Sequence, residues 1–163
     1  MSYKRYMVAP PGRMKWIKGQ KPEGCIFCQM FKGEYKDAKI LHKSSDVAVI
    51  MNIYPYSVGH LQVIPIRHVT VIEGLTDKEG LELLTFVKKS VRLLKAAIRP
   101  EGFNIGINIG EVSGASIEHL HVHVVPRFHD AGFIETTAST KVLPESIDTT
   151  FKRLKKFAHM LAK

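Results

Sequence analysis

Short apolar runs and one long helical repeat lay out most of this chain. Ala38 to His42 and Val47 to Ile53 read as two strands joined at Lys43-Ser44-Ser45-Asp46, since apolar, β-branched runs bounded by turn residues favour extended backbone. Pro55 and Gly59 mark a turn, and His60 to Ile66 follows as a third strand. Thr76 with Glu79 then forms a capping box, after which Leu83, Leu84, Val87, Val91, Leu94 and Ile98 keep helical spacing up to Pro100. Phe103, Ile105, Ile107 and Ile109 alternate with Asn and Gly as a fourth strand, and a Gly-Ser loop leads to a fifth over 117–127. Leu143-Pro144 opens a last helix with Ile147, Phe151, Leu154 and Leu161 on one side. Strands, a crossing helix, two more strands and a terminal helix predict an α+β domain: a mostly antiparallel five-stranded sheet with a long crossing helix and a C-terminal helix.

The fifth strand, IEHLHVHVVPR, carries the chemistry. His119, His121 and His123 alternate with Leu120, Val122 and Val124, so an extended chain puts the imidazoles on one face and the aliphatics on the other. Three buried core histidines are an expensive alternative. A three-histidine metal site is hindered by length, because i, i+2 and i+4 spread over roughly 13 Å at ~3.3 Å per residue. The row therefore divides its duties. Just before it, Asn108 to Ser116 (NIGEVSGAS) offers Gly110, Gly114 and the hydroxyls of Ser113 and Ser116, a loop suited to bringing backbone N–H groups to an anion.

Composition narrows the setting. The 163 residues, 45% hydrophobic and 24% charged, suit one globular domain with a substantial core. The first 24 residues, rich in Pro, Gly and Lys, read as an N-terminal arm, leaving 25–163 as a single domain. No run is apolar enough for a membrane span or a signal peptide, which predicts a cytoplasmic protein without a membrane partner. The net charge of +9 suits anionic partners such as nucleotides, although many lysines fall on helix surfaces. The two cysteines, Cys25 and Cys28, form a CxxC. A disulfide fits poorly with a reducing compartment, and the preceding KGQKPEG lacks the strand of a redox motif. Metal ligation suits the pair, given two further ligands.

HLHVHVV resembles the signature of the histidine-triad (HIT) superfamily of nucleotide hydrolases and transferases. GHLQVIPIRHV resembles that family's central strand and NIGEVSGASIEH its phosphate loop, while RMKWI with CIFC is similar to the start of zinc-bearing members. The GAS loop and TKVLPES resemble the branch that cleaves dinucleoside polyphosphates such as diadenosine tetraphosphate. The resemblance implies a HIT-like fold and His121 as a nucleophile on an α-phosphate, flanked by His119 and His123, with His60 nearby. It gives Asn52 to ribose, Asn108 to phosphate or leaving group, and Gly114, Ala115 and Ser116 to the phosphate loop. Ile53 and Leu61 would form a slot for the base, with core packing as their default reading. It implies a structural zinc on Cys25, Cys28, His68 and His119, Mg2+ carried with substrate, and a homodimer or dimer of dimers. Nucleoside phosphoramidates are the alternative substrate. A non-catalytic nucleotide or nucleic-acid module is the other reading, with nucleic acid disfavoured because no cysteine follows His123. The chain departs from the long-polyphosphate cleavers at Pro126-Arg127-Phe128-His129-Asp130, where they carry VPRW and a Gly-Asp turn.

Overall fold

Every residue of the second strand is buried, and this sets the architecture: the middle of the sheet is covered on both faces. The computed structural model describes residues 23–35, 37–129 and 145–162. The strands are β1 (Ile40–Lys43), β2 (Val47–Met51), β3 (Leu61–Pro65), β4 (Gly102–Ile107) and β5 (Val122–Arg127). They form an antiparallel sheet in the order β1-β2-β3-β5-β4. The helices are α1 (Ile26–Lys32), α2 (Asp77–Ile98), α3 (Ile147–Lys155) and α4 (His159–Ala162). This is the predicted α+β architecture.

The two faces divide the apolar residues by parity. Val47, Val49, Met51, Leu61, Val63, Val122 and Val124 pack under α2, α3 and α4 against Phe86, Leu93, Leu94, Leu154 and Leu161. Ala48, Ile50 and Ile64 face the other way and are covered by Ile26, Phe27, Met30 and Phe31 of α1. A strand buried on both sides needs no polar alternation, which explains the unbroken VAVIM of β2. Leu61 belongs to the first core, so the slot expected from Ile53 and Leu61 is not built: Leu61 is fully buried beneath α2.

The long helix begins where the sequence places it. Thr76 caps it, and Glu79 returns a carboxylate oxygen to the Thr76 N–H at 2.8 Å. Arg67 grips the same carboxylate through two contacts of 2.8 Å, and with Thr76 holds Glu79 down at about 2. The segment next to His68 is thereby tied to the helix start. Gly59, at φ +77°, brings the chain against the end of α2, where a Cβ would sit 2.5 Å from Ile98 Cδ1.

Two expectations change. The fifth strand starts at Val122, not at residue 117. Continuing the Val63–Val122 register would set Leu120 opposite Pro65, which has no N–H to give. Leu120 instead donates to the Val69 carbonyl at 2.6 Å. His119 and His121 thus precede the ladder, and only His123 lies in it. At the C-terminus one expected helix is two, because Phe157 and Ala158 donate to carbonyls three residues back and tighten the chain between α3 and α4. The expected opening at Leu143-Pro144 and nearly all of the arm lie outside the described residues.

Candidate functional site

The sheet face that carries α1 also carries the histidines. In the cross-strand register, His123 stands beside Gln62 on β3 and Gly106 on β4. A cleft of about 1100 Å3 opens over this face, lined among others by Asn52, Tyr56, Ser116, His121 and His123. Four histidines, His60, His119, His121 and His123, are buried along it, each 9% exposed or less.

Backbone groups fix which nitrogen of each ring carries hydrogen. The Nδ1 of His121 lies 2.7 Å from the His119 carbonyl, which only accepts, so Nδ1 bears the hydrogen and neutral His121 keeps its lone pair on Nε2. Burial pushes the His121 imidazole down, toward that neutral form. The Tyr56 N–H donates to His60 Nδ1 at 3.1 Å, so the His60 hydrogen sits on Nε2. That Nε2 lies 2.9 Å from His123 Nδ1 and donates to it. By elimination, neutral His123 carries its hydrogen on Nε2. One ring of the row holds a lone pair and the next a proton.

His119 turns to other partners. Its Nε2 donates to the Pro65 carbonyl at 2.9 Å, leaving the Nδ1 lone pair 3.2 Å from Cys25 Sγ and 3.7 Å from Cys28 Sγ. Burial pushes this imidazole down to about 4. His68 Nδ1 is 3.5 Å from Cys28 Sγ, and one ligand atom from each of the four residues lies within 4.8 Å of the others. Metal–sulfur bonds of ~2.3 Å and metal–nitrogen bonds of ~2.0–2.1 Å make tetrahedral edges of about 3.3–3.8 Å, close to these separations. Two thiols and two imidazole lone pairs suit a borderline-soft cation such as zinc. Burial, then the adjacent Cys25, push the Cys28 thiol up; a bound cation would reverse that by stabilising thiolate.

Cys25 and Cys28 sit at the start of α1, whose Phe27 points into the histidine row. Its ring meets His119 edge-on at 5.7 Å and His121 at 5.2 Å. Sequence reasoning missed Phe27; its place inside the CxxC was the available signal. It also missed Tyr56, whose ring stacks on His60 at 4.9 Å.

The remaining expected residues are mixed. Asn52, Ile53, Asn108, Gly114, Ala115 and Ser116 all line the cleft. Gly114, however, gives its N–H to the Glu111 carbonyl at 2.9 Å, and Ser113 spends its hydroxyl on Ile109 and Gly110. These internal bonds close a 3-10 turn over Glu111–Ser113 and engage the Gly114 N–H within the loop, while Ser116 lines the cleft beyond the turn. Asn52 is engaged too: its Oδ1 accepts the Tyr54 N–H at 2.9 Å and its Nδ2 lies 3.3 Å from His60 Nδ1.

The family model described as HIT domain matches residues 33–130. The chain belongs to the HIT family. This HIT protein is 43% identical over 121 residues to a Mycobacterium tuberculosis protein named AP-4-A phosphorylase, a match covering 73% of this chain and 62% of that protein. It therefore spans less than two thirds of that relative's length. An adenosine 5'-monophosphoramidase, hnt1 of Schizosaccharomyces pombe, is 33% identical over 103 residues, covering 63% of this chain and 74% of that protein. The fold matches a Zn-bound histidine triad family protein from Mycobacterium smegmatis with TM-score 0.70 at 22% identity, over 85% of this chain and 96% of that one. Among the described residues, no helix is long and apolar enough to cross a membrane.

Proposed function

We propose that this HIT protein cleaves dinucleoside polyphosphates at an α-phosphate by way of a nucleotidyl group carried on His121. The observation that carries this reading is the 2.7 Å bond from His121 Nδ1 to the His119 carbonyl, which leaves Nε2 as a neutral nucleophile in a cleft. The Nε2 lone pair forms a bond to the α-phosphorus as the bond to the bridging oxygen breaks. The His123 Nε2–H donates a hydrogen bond to that oxygen, which departs as the polyphosphate anion. Ser116 at the loop offers donors to the non-bridging oxygens. Inorganic phosphate, or water that releases a proton to solvent, then bonds to the phosphorus as the P–N bond breaks and its electron pair returns to His121 Nε2.

Two features favour the larger substrate. A volume of about 1100 Å3 stands at the upper end of the ~300–1,000 Å3 of small-molecule sites, ample for a second nucleoside. The 43% identity to AP-4-A phosphorylase favours phosphate as acceptor. Incubation with diadenosine tetraphosphate, with and without phosphate and Mg2+, decides by product mass. ADP and ATP formed only with phosphate are the expected result; AMP and ATP would make the enzyme a hydrolase. No nucleotide product and no adduct on His121 would overturn the proposal. The phosphoramidase relative supports a second reading, in which an adenosine phosphoramidate is turned over and the tetraphosphate is not.

In the same reading Cys25, Cys28, His68 and His119 hold zinc. The ion would anchor α1 to the start of the histidine segment, with no open position for chemistry. A homodimer fits the exposed edge strand β4 with Ile105, and the exposed Leu81 and Leu84 of α2.

A further inference from the structure

We infer that Asn52 is a positioning residue that sets the direction of the His60–His123 hydrogen bond, by keeping hydrogen off His60 Nδ1 so that His123 presents its Nε2–H as a hydrogen-bond donor to the leaving group. This rests on the reading of His121 as nucleophile and assigns Asn52 a task separate from any contact with ribose. The amide is oriented without ambiguity: Oδ1 accepts the Tyr54 N–H at 2.9 Å, so the atom 3.3 Å from His60 Nδ1 is the NH2 nitrogen, a donor. The Tyr56 N–H converges on the same lone pair at 3.1 Å. Two donors aimed at one nitrogen exclude hydrogen from it, which forces the His60 hydrogen to Nε2 and onward to His123 Nδ1 at 2.9 Å. His60 is fully buried, so water does not compete for Nδ1.

The identity of residue 52 thus decides the polarity of the relay. A carboxylate at this place accepts where the amide donates. An ionised acceptor makes hydrogen bonds about twice as strong as a neutral one, so Asn52→Asp draws hydrogen onto His60 Nδ1 against the single Tyr56 N–H. His60 Nε2 then accepts from His123 Nδ1, and His123 Nε2 loses its hydrogen. The step that suffers is stabilisation of the negative charge that develops on the bridging oxygen as its bond to phosphorus breaks. A ribose contact, by contrast, is indifferent to what leaves.

Aryl esters of AMP with phenol, 4-nitrophenol and 2,4-dinitrophenol as leaving groups separate the two roles, tested on the full-length zinc-loaded protein and on Asn52→Asp. Good leaving groups carry that charge without a donor. The expected result is a fall in kcat of about tenfold to a hundredfold for the phenyl ester, part of what one hydrogen-bond donor to developing charge contributes. The dinitrophenyl ester should lose less than about threefold, with KM nearly unchanged throughout. An equal loss across the three esters, or one confined to KM, would overturn the inference. Long-range 15N–1H spectra of the wild-type histidines test it without any variant: hydrogen on Nε2 of both His60 and His123 is expected, and hydrogen on His60 Nδ1 would overturn it. If His121→Ala processes the esters at the wild-type rate, the nucleophile assignment falls instead, while the spectra still judge Asn52.

Discussion

Replacing Phe27 with leucine should slow the chemistry far more than it weakens substrate binding. Phe27 is 2% exposed and meets His119 at 5.7 Å and 79° and His121 at 5.2 Å and 71°. An edge-to-face pair contributes about 0.5–1.5 kcal/mol beyond burial, so two pairs and a small cavity cost about 2–4 kcal/mol. Domains of this size hold about 5–15 kcal/mol, and the variant should stay folded. The rate effect has a geometric cause. His121 has a hydrogen bond at Nδ1, about which its ring can swing, and the rings that pack against it are Phe27 at 5.2 Å and His123 at 4.6 Å. Removing one of these rings misaims Nε2 by a fraction of an ångström, and a 1 Å error costs about a hundredfold, so kcat should drop about tenfold. KM should change by less than about twofold, because the interaction bears on the reacting geometry. Single-turnover rates with diadenosine tetraphosphate, zinc content and urea unfolding measure the three quantities together. A wild-type kcat at full zinc content and lowered stability would refute the account of how His121 is aimed.

Removing the zinc proposed for Cys25, Cys28, His68 and His119 should lower stability, and more so in acid. Burial pushes His119 from the usual 6.5 to about 4, so the unfolded chain takes up a proton over that interval that the folded stripped protein refuses. Stability contributed by this residue is therefore complete above pH 6.5 and declines as pH falls toward 4, by about 3 kcal/mol. Urea midpoints of the chelator-treated protein should show the decline, and His119→Gln should lack that part of it. Gly114→Ala forces a side chain into φ +88°, which should cost about 1 kcal/mol and raise KM several-fold as the loop shifts; an unchanged KM in steady-state assays would exclude the loop from phosphate binding. Leu84→Glu places a charge on an exposed apolar face of α2 and should convert a dimer to monomer in light scattering, whereas a monomeric wild type would remove that interface.

Features encoded locally were legible in the sequence. The capping box of Thr76 and Glu79 and the helical repeat after it depend on residues three and four apart, and α2 starts at Asp77 as read. The alternation of histidine and aliphatic residues likewise needs no partner to be seen. What ends a strand is not local. The ladder of β5 stops because Pro65, far away in sequence, offers no N–H, and nothing within 117–127 signals it. Leu61 takes the core place that is its default reading, but the face is not local: its register with Met51 and Val124 turns it under α2, a choice that its own segment leaves open. The candidate metal-binding group joins Cys25 to His119 across 94 positions. Its donors were recognisable by type, but their meeting depends on the fold. Asn52 shows the same limit at atomic scale, since a polar residue at a strand end announces neither the orientation of its amide nor the imidazole it faces.

Rapid acid-free quenching of the protein with diadenosine tetraphosphate, followed by peptide mass spectrometry, addresses the covalent step itself. An adenylyl group on the peptide containing His121, attached at that imidazole and missing in His121→Ala, is the predicted result. Turnover at the wild-type rate by His121→Ala, or an adenylyl group found on His119 or His123 instead, would contradict it.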